Sequence, residues 1–361
     1  MMPFKTRIGS KYANSNRSNY GFTIAELLVA AAILALLVVL LLNMVTQTSK
    51  TWRSTSGKIE EFRDARDTFD SITRRLSQAT LNTYLDYDNP ANPQSYMRQS
   101  ELRFLSGPSA TILGNLTLPN PTPSMSVFFQ APNGFSTNSS NSILQNALNT
   151  WGYFLEYASD SNSRPSFLPA GAPPARYRYR LMELMEPTEN LSIYNYTSGK
   201  PSYTNIDWIS NSMTLATNRP AHVLAENVIA LIILPHQSPA DYSNGYSISS
   251  LAPYFTYDSS SNWTNYVTNT TNGDLDTHNQ LPPVVQVTMI AVDETSAVRF
   301  ANTYSNLSSV FAASNWFTNS SSFAADLSNC QVYLSGQHLN YRIFTTDVMI
   351  KGAKWSGSQT N

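Results

Sequence analysis

Cysteine is almost missing from this 361-residue chain, where Cys330 stands alone. One thiol closes no internal disulfide and supplies no paired-cysteine metal site, so stability has to come from buried apolar surface. Cys330 itself is expected as a small buried residue and not as a reactive one. Charge is scarce as well: Asp, Glu, Lys and Arg make up 13% of the residues, against roughly 25% in ordinary soluble domains. The formal net charge of −1 gives no bulk attraction to nucleic acid, so no nucleic-acid partner is expected. The four histidines, His222, His236, His278 and His338, sit at no metal-ligand spacing and are expected to be structural or on the surface. A nucleophile elbow, a phosphate-binding loop and a dinucleotide fingerprint are all lacking. The chain therefore reads as non-enzymatic, with no cofactor and no metal.

What charge there is lies unevenly. The first 21 residues hold Lys5, Arg7, Lys11 and Arg17 and no acid, and the next 21, Phe22 to Leu42, hold Glu26 alone. Residues 50–75 then carry seven bases and five acids, after which charges thin out in a neutral-polar remainder rich in Asn, Ser, Thr, Tyr and Pro. An apolar helix over Phe22–Leu42 is ~31 Å long, a match for a hydrocarbon core of ~30 Å. Basic residues on the N-terminal side alone put that side in the cytoplasm, with a single pass through the inner (cytoplasmic) membrane and the rest periplasmic or otherwise extracytoplasmic. A cleavable secretory signal would need a shorter apolar core followed by small residues, whereas the chain runs on as Asn43-Met44-Val45-Thr46. A plain signal anchor explains the length but leaves Glu26 without a reason, since a charge in hydrocarbon costs several kcal/mol unless paired.

A third reading gives Glu26 a role. The segment Gly21-Phe22-Thr23-Ile24-Ala25-Glu26-Leu27-Leu28-Val29 resembles the processing motif of type IV prepilins and type II secretion pseudopilins. The resemblance implies that a membrane-embedded prepilin peptidase cuts between Gly21 and Phe22 and N-methylates Phe22. It makes Glu26 the fifth mature residue, where the family keeps a glutamate. A carboxylate there can pair with the new amino group of Phe22, in a neighbouring subunit or its own chain, and set the axial register of packed helices. Gly21, having no Cβ, suits close approach of a peptidase.

Beyond the apolar run, Trp52, Ile59, Phe62, Phe69, Ile72, Leu76 and Ala79 recur at helical steps. They predict a continuous helix from Phe22 to Thr80, 43–80 being its amphipathic part, with the apolar stripe packed on a globular domain and the charges on a solvated face. Glu60 and Asp64 should repel mildly and Asp70 and Arg74 attract. Residues 81–361 predict an extracytoplasmic β-rich domain. Its expected strands are Val127–Gln130, Tyr153–Tyr157, Arg176–Met185, Val228–Leu234, Val284–Val292 and Tyr341–Ile350, with a helix over Ser321–Leu334. The unbroken apolar run of Val228–Leu234 reads as a central strand covered on both faces. Long loops are expected at Asp86–Gln99, Asn133–Asn141 and Pro235–Gln280, the last with a small hairpin or insertion at 235–280. Arg176, Arg178 and Arg180 are expected on a solvated face opposite cross-strand acids. Asn272-Gly273-Asp274-Leu275-Asp276 reads as an ordinary turn, with calcium a weaker alternative for want of a terminal glutamate. Triplets such as Asn115-Leu116-Thr117 and Asn262-Trp263-Thr264 are those expected by chance in so polar a chain.

The fold class is thus α+β: a long N-terminal helix, then an antiparallel β-rich domain. This layout resembles the larger minor pseudopilins, the J-type in particular, through Val223-Leu224-Ala225-Glu226-Asn227-Val228 and Leu281-Pro282-Pro283-Val284-Val285-Gln286-Val287. Over the whole chain it resembles the Verru_Chthon cassette protein C family, including Val292-Asp293-Glu294 and the run from Asn340-Tyr341-Arg342 to Lys354-Trp355-Ser356. These resemblances imply a structural minor subunit of a type II secretion or type IV pilus-like filament, with prepilin peptidase, the membrane and other pilin-like subunits as partners. The rival expectation is a membrane-anchored adhesion or glycan-binding protein.

Overall fold

Rich in Ala and Leu and free of proline, the N-terminal segment forms one helix, α1 (Ile24–Leu76). The computed structural model describes residues 21–114, 124–141, 143–159, 167, 177–197, 200–201, 205–213, 219–239, 250–260, 277–303 and 316–355. They fall into two units, one up to Gly57 and one from Lys58 onward. The chain is α+β, the long apolar helix being followed by antiparallel sheets.

In the second unit, Phe62, Ala65, Phe69, Ile72, Leu76 and Ala79 follow one another at alternating steps of three and four. All pack into the main core, Phe62 only partly. The solvated face of Glu60, Arg63, Asp64, Arg66, Asp67, Asp70 and Arg74 is as expected, although Asp70 and Arg74 form no ion pair with each other. The expected stripe began too early: Trp52 is 74% exposed and Ile59 65%. The helix also stops four residues before Thr80. Gln78 N–H and Ala79 N–H bond three residues back, to Arg75 and Leu76, and Thr80 N–H donates to the Gln130 carbonyl. Ile72, fully buried, is the position where truncation to Ala should cost about 2–5 kcal/mol of stability. A urea denaturation midpoint unchanged in Ile72→Ala would exclude this packing.

After α1, β1 (Tyr84–Tyr87) and β2 (Tyr96–Gln99) pair as a hairpin where a loop was expected over Asp86–Gln99. The Asp88 carboxylate organises its turn, accepting from the N–H groups of Asn89 (2.8 Å), Gln94 (2.9 Å) and Ser95 (3.2 Å). Six strands then form the larger sheet: β3 (Leu105–Pro108), β4 (Met125–Ala131), β5 (Asn149–Ser159), β6 (Tyr177–Glu186), β9 (Ala221–Glu226) and β11 (Tyr257–Asp258). Their order is β11-β3-β4-β5-β6-β9, antiparallel throughout. Two-residue strands β7 (Tyr196–Thr197) and β8 (Lys200–Pro201) pair separately. A second antiparallel sheet, of order β10-β12-β13, consists of β10 (Val228–His236), β12 (Val284–Val292) and β13 (Tyr341–Met349). The helices beyond α1 are α2 (Ser109–Ile112), α3 (Asp207–Met213), α4 (Glu294–Thr303) and α5 (Phe323–Gly336). The last covers the helix expected over Ser321–Leu334.

Alternate residues of the larger sheet enter two cores. Val127, Phe129, Tyr153, Leu155 and Leu181 join the α1 stripe and the smaller sheet, while Phe128, Phe154, Met182 and Leu184 meet Trp208, Ile209 and Met213 of α3. Gly152 lies opposite Phe128 in the register, and a Cβ there would overlap the Phe128 ring. The run Val228–Leu234 is buried on both faces, yet β10 is a ladder edge and not central. Its cover is tertiary packing, with the larger sheet on one side, and not a second hydrogen-bonded neighbour. The chain crosses from β9 to β10 at Asn227, in the left-handed region at φ 62° that Asn tolerates. Its N–H donates to Tyr179 O at 2.8 Å and its carbonyl accepts from Val292 N–H at 3.0 Å.

The expected loop Pro235–Gln280 contributes β11, which joins the larger sheet beside β3, so residues 250–260 are no separate hairpin. Arg103 reaches Asp258 in a bidentate pair, its Nε 2.8 Å from Oδ1, and its Nη1 donates to Asn205 O at 2.6 Å. Burial would raise the Asp258 carboxyl, but the bonds and charge of Arg103, with two bonds from Ser260, hold it below its ordinary value. At α4, Ser296 N–H donates to Asp293 at 2.8 Å, Lys58 Nζ lies 3.3 Å from the same carboxylate, and Glu61 accepts from Glu294 N–H at 2.8 Å. Two α4-capping acids, one of them on α1, thus complement the unpaired N–H groups of this helix end.

Candidate functional site

Helix α1 begins at Ile24 because Thr23 and Glu26 satisfy the groups that an N-terminus leaves open. Glu26 N–H donates to Thr23 Oγ1 at 3.2 Å, and Thr23 N–H and Oγ1–H both donate to Glu26 Oε2 at 2.9 Å. This reciprocal pair is a capping box, T-x-x-E. It leaves Gly21, Phe22 and Thr23 outside the helix, correcting the expected start at Phe22. The peptide bond between Gly21 and Phe22 therefore lies in non-helical, exposed backbone, with Phe22 86% exposed. A Cβ on Gly21 would meet none of the described residues within 4 Å, so packing among them does not demand glycine there.

The three residues named from the sequence are thus together: Gly21 and Phe22 flank the bond, and Glu26 lies one turn into the helix on the Thr23 cap. Thr23 was missed, although Thr three residues before Glu at the head of an apolar run is a visible signal. From Ile24 the helix is long and apolar enough to cross a membrane, its most apolar 18-residue window having a mean hydropathy of 3.0. The basic residues of the first 20 positions lie outside the described residues.

Elsewhere, titratable groups serve the fold. Arg178 and Arg180, expected on a solvated face, are buried. Arg180 meets its cross-strand acid Glu226 at 3.4 Å, but Arg178 pairs with Glu294 of α4. A strand pattern does not show the helix that covers it. Arg176 and the Asn272–Asp276 turn lie outside the described residues. Glu183, buried on β6, takes Arg75 of α1, the Tyr153 hydroxyl at 2.9 Å and His222 Nε2 at 3.0 Å. Burial and the Arg75 charge lower the His222 pKa. His236 Nδ1 lies 2.9 Å from Gln237 O, His278 lies beside Asn279, and His338 O accepts from Arg299. Burial pushes the Cys330 thiol up to about 12, away from reactivity. Among the described residues no group of three His, Cys, Asp or Glu could hold a metal.

The prokaryotic N-terminal methylation motif matches residues 16–42. No curated protein and no solved structure matches the chain. The match marks a type IV pilin-like, prepilin-type signal on an apolar helix fit to anchor the chain in a membrane by a single pass. It implies processing by prepilin peptidase and assembly with pilin subunits.

Proposed function

We propose that this chain is a structural, non-enzymatic minor subunit of a type II secretion or type IV pilus-like filament. Prepilin peptidase would cut between Gly21 and Phe22 and methylate Phe22. The leader would face the cytoplasm and the β-rich head the extracytoplasmic side. The methylation motif over residues 16–42 carries this reading, because it gives a role to the charge of an acid five residues after Gly21 in an otherwise uncharged apolar run. The capping box supports it by keeping the scissile bond out of the helix, where a peptidase can bind extended backbone. A head of 304 residues, Lys58–Asn361, favours a minor role, since so large a domain on every subunit would crowd a thin filament. The narrower likeness proposed is to J-type minor pseudopilins through Val223–Val228 and Leu281–Val287, and over the whole chain to the Verru_Chthon cassette protein C family. Val223–Val228 spans the passage from β9 to β10, and Leu281–Val287 leads into β12.

Mass spectrometry of the protein extracted from membranes tests the proposal. The expected N-terminal peptide starts at a methylated Phe22. A functional chain that still starts at Met1 would leave only an anchored, unprocessed protein.

A further inference from the structure

A cavity of about 620 Å³ lies where β6 ends and β9 begins, within the range of about 300–1,000 Å³ usual for small-ligand sites. At its base is Glu186, buried, accepting from Ser192 N–H at 3.2 Å, from Ser192 Oγ at 2.7 Å and from Ser212 Oγ. Asn190, Asn195 and Asn211 line it from exposed positions. Arg219 is another wall, and its buried Nε–H has no partner among the described residues. Phe135, Pro187 and Pro220 supply an apolar side. The Phe135 segment is held in place, with its N–H donating to Asn149 Oδ1 at 2.8 Å and Thr137 N–H donating to Glu189 at 2.7 Å.

The charges around the cavity are matched within the protein. Arg219 Nη2 lies 3.0 Å from Glu156, and Glu183, 3.0 Å from His222 Nε2, is paired with Arg75. Burial raises the Glu186 pKa against the hydrogen bonds from Ser212 and Ser192, which lower it. With Arg219 on Glu156, Glu183 on Arg75 and Glu186 held by Ser192 and Ser212, the lining offers a ligand hydrogen bonds more than charge. The exposed side-chain amides of Asn190 and Asn195, able to give and take hydrogen bonds, together with Phe135, Pro187 and Pro220, match a ligand with many hydroxyls on one side and C–H faces on the other. We propose that this cavity binds a neutral saccharide of one or two pyranose units, with Asn190 and Asn195 bonding its hydroxyls and Phe135, Pro187 and Pro220 taking its apolar face. The site does not depend on leader removal, so the filament role and saccharide binding stand or fall separately.

The test is saturation-transfer NMR on the full chain in a detergent without a sugar headgroup. Cellobiose, maltose, lactose and N,N′-diacetylchitobiose are the probes, and trialanine amide is the neutral peptide control. At least one disaccharide should show transfer. Ala221→Trp, which fills the cavity from β9, should weaken that sugar about tenfold or more. Asn190→Ala, at an exposed position, should weaken it with an unchanged thermal midpoint, covering the case in which the tryptophan disturbs the strand. No transfer from any sugar at millimolar concentration, binding unaltered by Asn190→Ala, or transfer to the peptide alone would each overturn the proposal.

Discussion

Glu26→Ala is expected to leave the bond after Gly21 cleavable and yet to lower incorporation of the mature chain into filaments by at least about tenfold, as befits the only charge in a lipid-facing run. The processed protein should collect in the membrane, which blotting of sheared-filament and membrane fractions would show. The Thr23 cap makes Glu26→Gln the discriminating variant. Its side-chain oxygen still accepts from Thr23 N–H, so the helix start is retained while the charge is gone. If the carboxylate acts by neutralising the Phe22 amine, Glu26→Gln fails like Glu26→Ala. If Glu26→Gln assembles normally, the glutamate acts through the cap alone and the pairing role is wrong.

Arg103→Leu should destabilise the head by about 3–5 kcal/mol, because it leaves Asp258 buried and without its guanidinium. The sign of the pH response is also fixed. In the native protein the Asp258 pKa is below its ordinary value, so its stabilisation is present at neutral pH and is lost as pH falls through the native pKa. Without Arg103, burial raises the same carboxyl, and its penalty disappears as acid protonates it. The stability gap between native and variant should therefore narrow from pH 7 toward pH 4 in urea denaturation. A gap that widens would contradict the pairing. Joint replacement, Arg103→Met with Asp258→Leu, should recover most of the loss.

That pair joins residues 155 positions apart, and nothing local in either segment announces it. Local patterns announce other things well. The steps of three and four from Phe62 to Ala79 identify the buried face of α1, and Val284–Val292 is a strand at the expected bounds. A pattern does not show where its partner surface ends, which is why Trp52 and Ile59 were wrongly included. In Val228–Leu234 an apolar run reports covered faces but says nothing of ladder neighbours, so an edge strand looked central. The hairpin of Tyr84–Tyr87 and Tyr96–Gln99 exposes much of both its faces and shows no alternation to find. At the candidate site, the acid in the apolar run was legible from composition alone. Thr23 was equally legible as a cap but drew no notice beside the charge.

Helix α1 is synthesised early, but part of what covers its buried stripe is made last. Phe344 of β13 packs on Phe69 with ring centroids 5.8 Å apart, Arg342 lies over Phe62, and Lys351 N–H donates to Ser77 O. Such closure between early and late segments delays folding until the late one is available. Until those residues have left the ribosome, the part of the stripe around Phe62 and Phe69 lacks their cover. Full cover of the α1 stripe thus waits on β13, and a chain cut short before β13 would leave Phe69 without Phe344 and aggregate more readily.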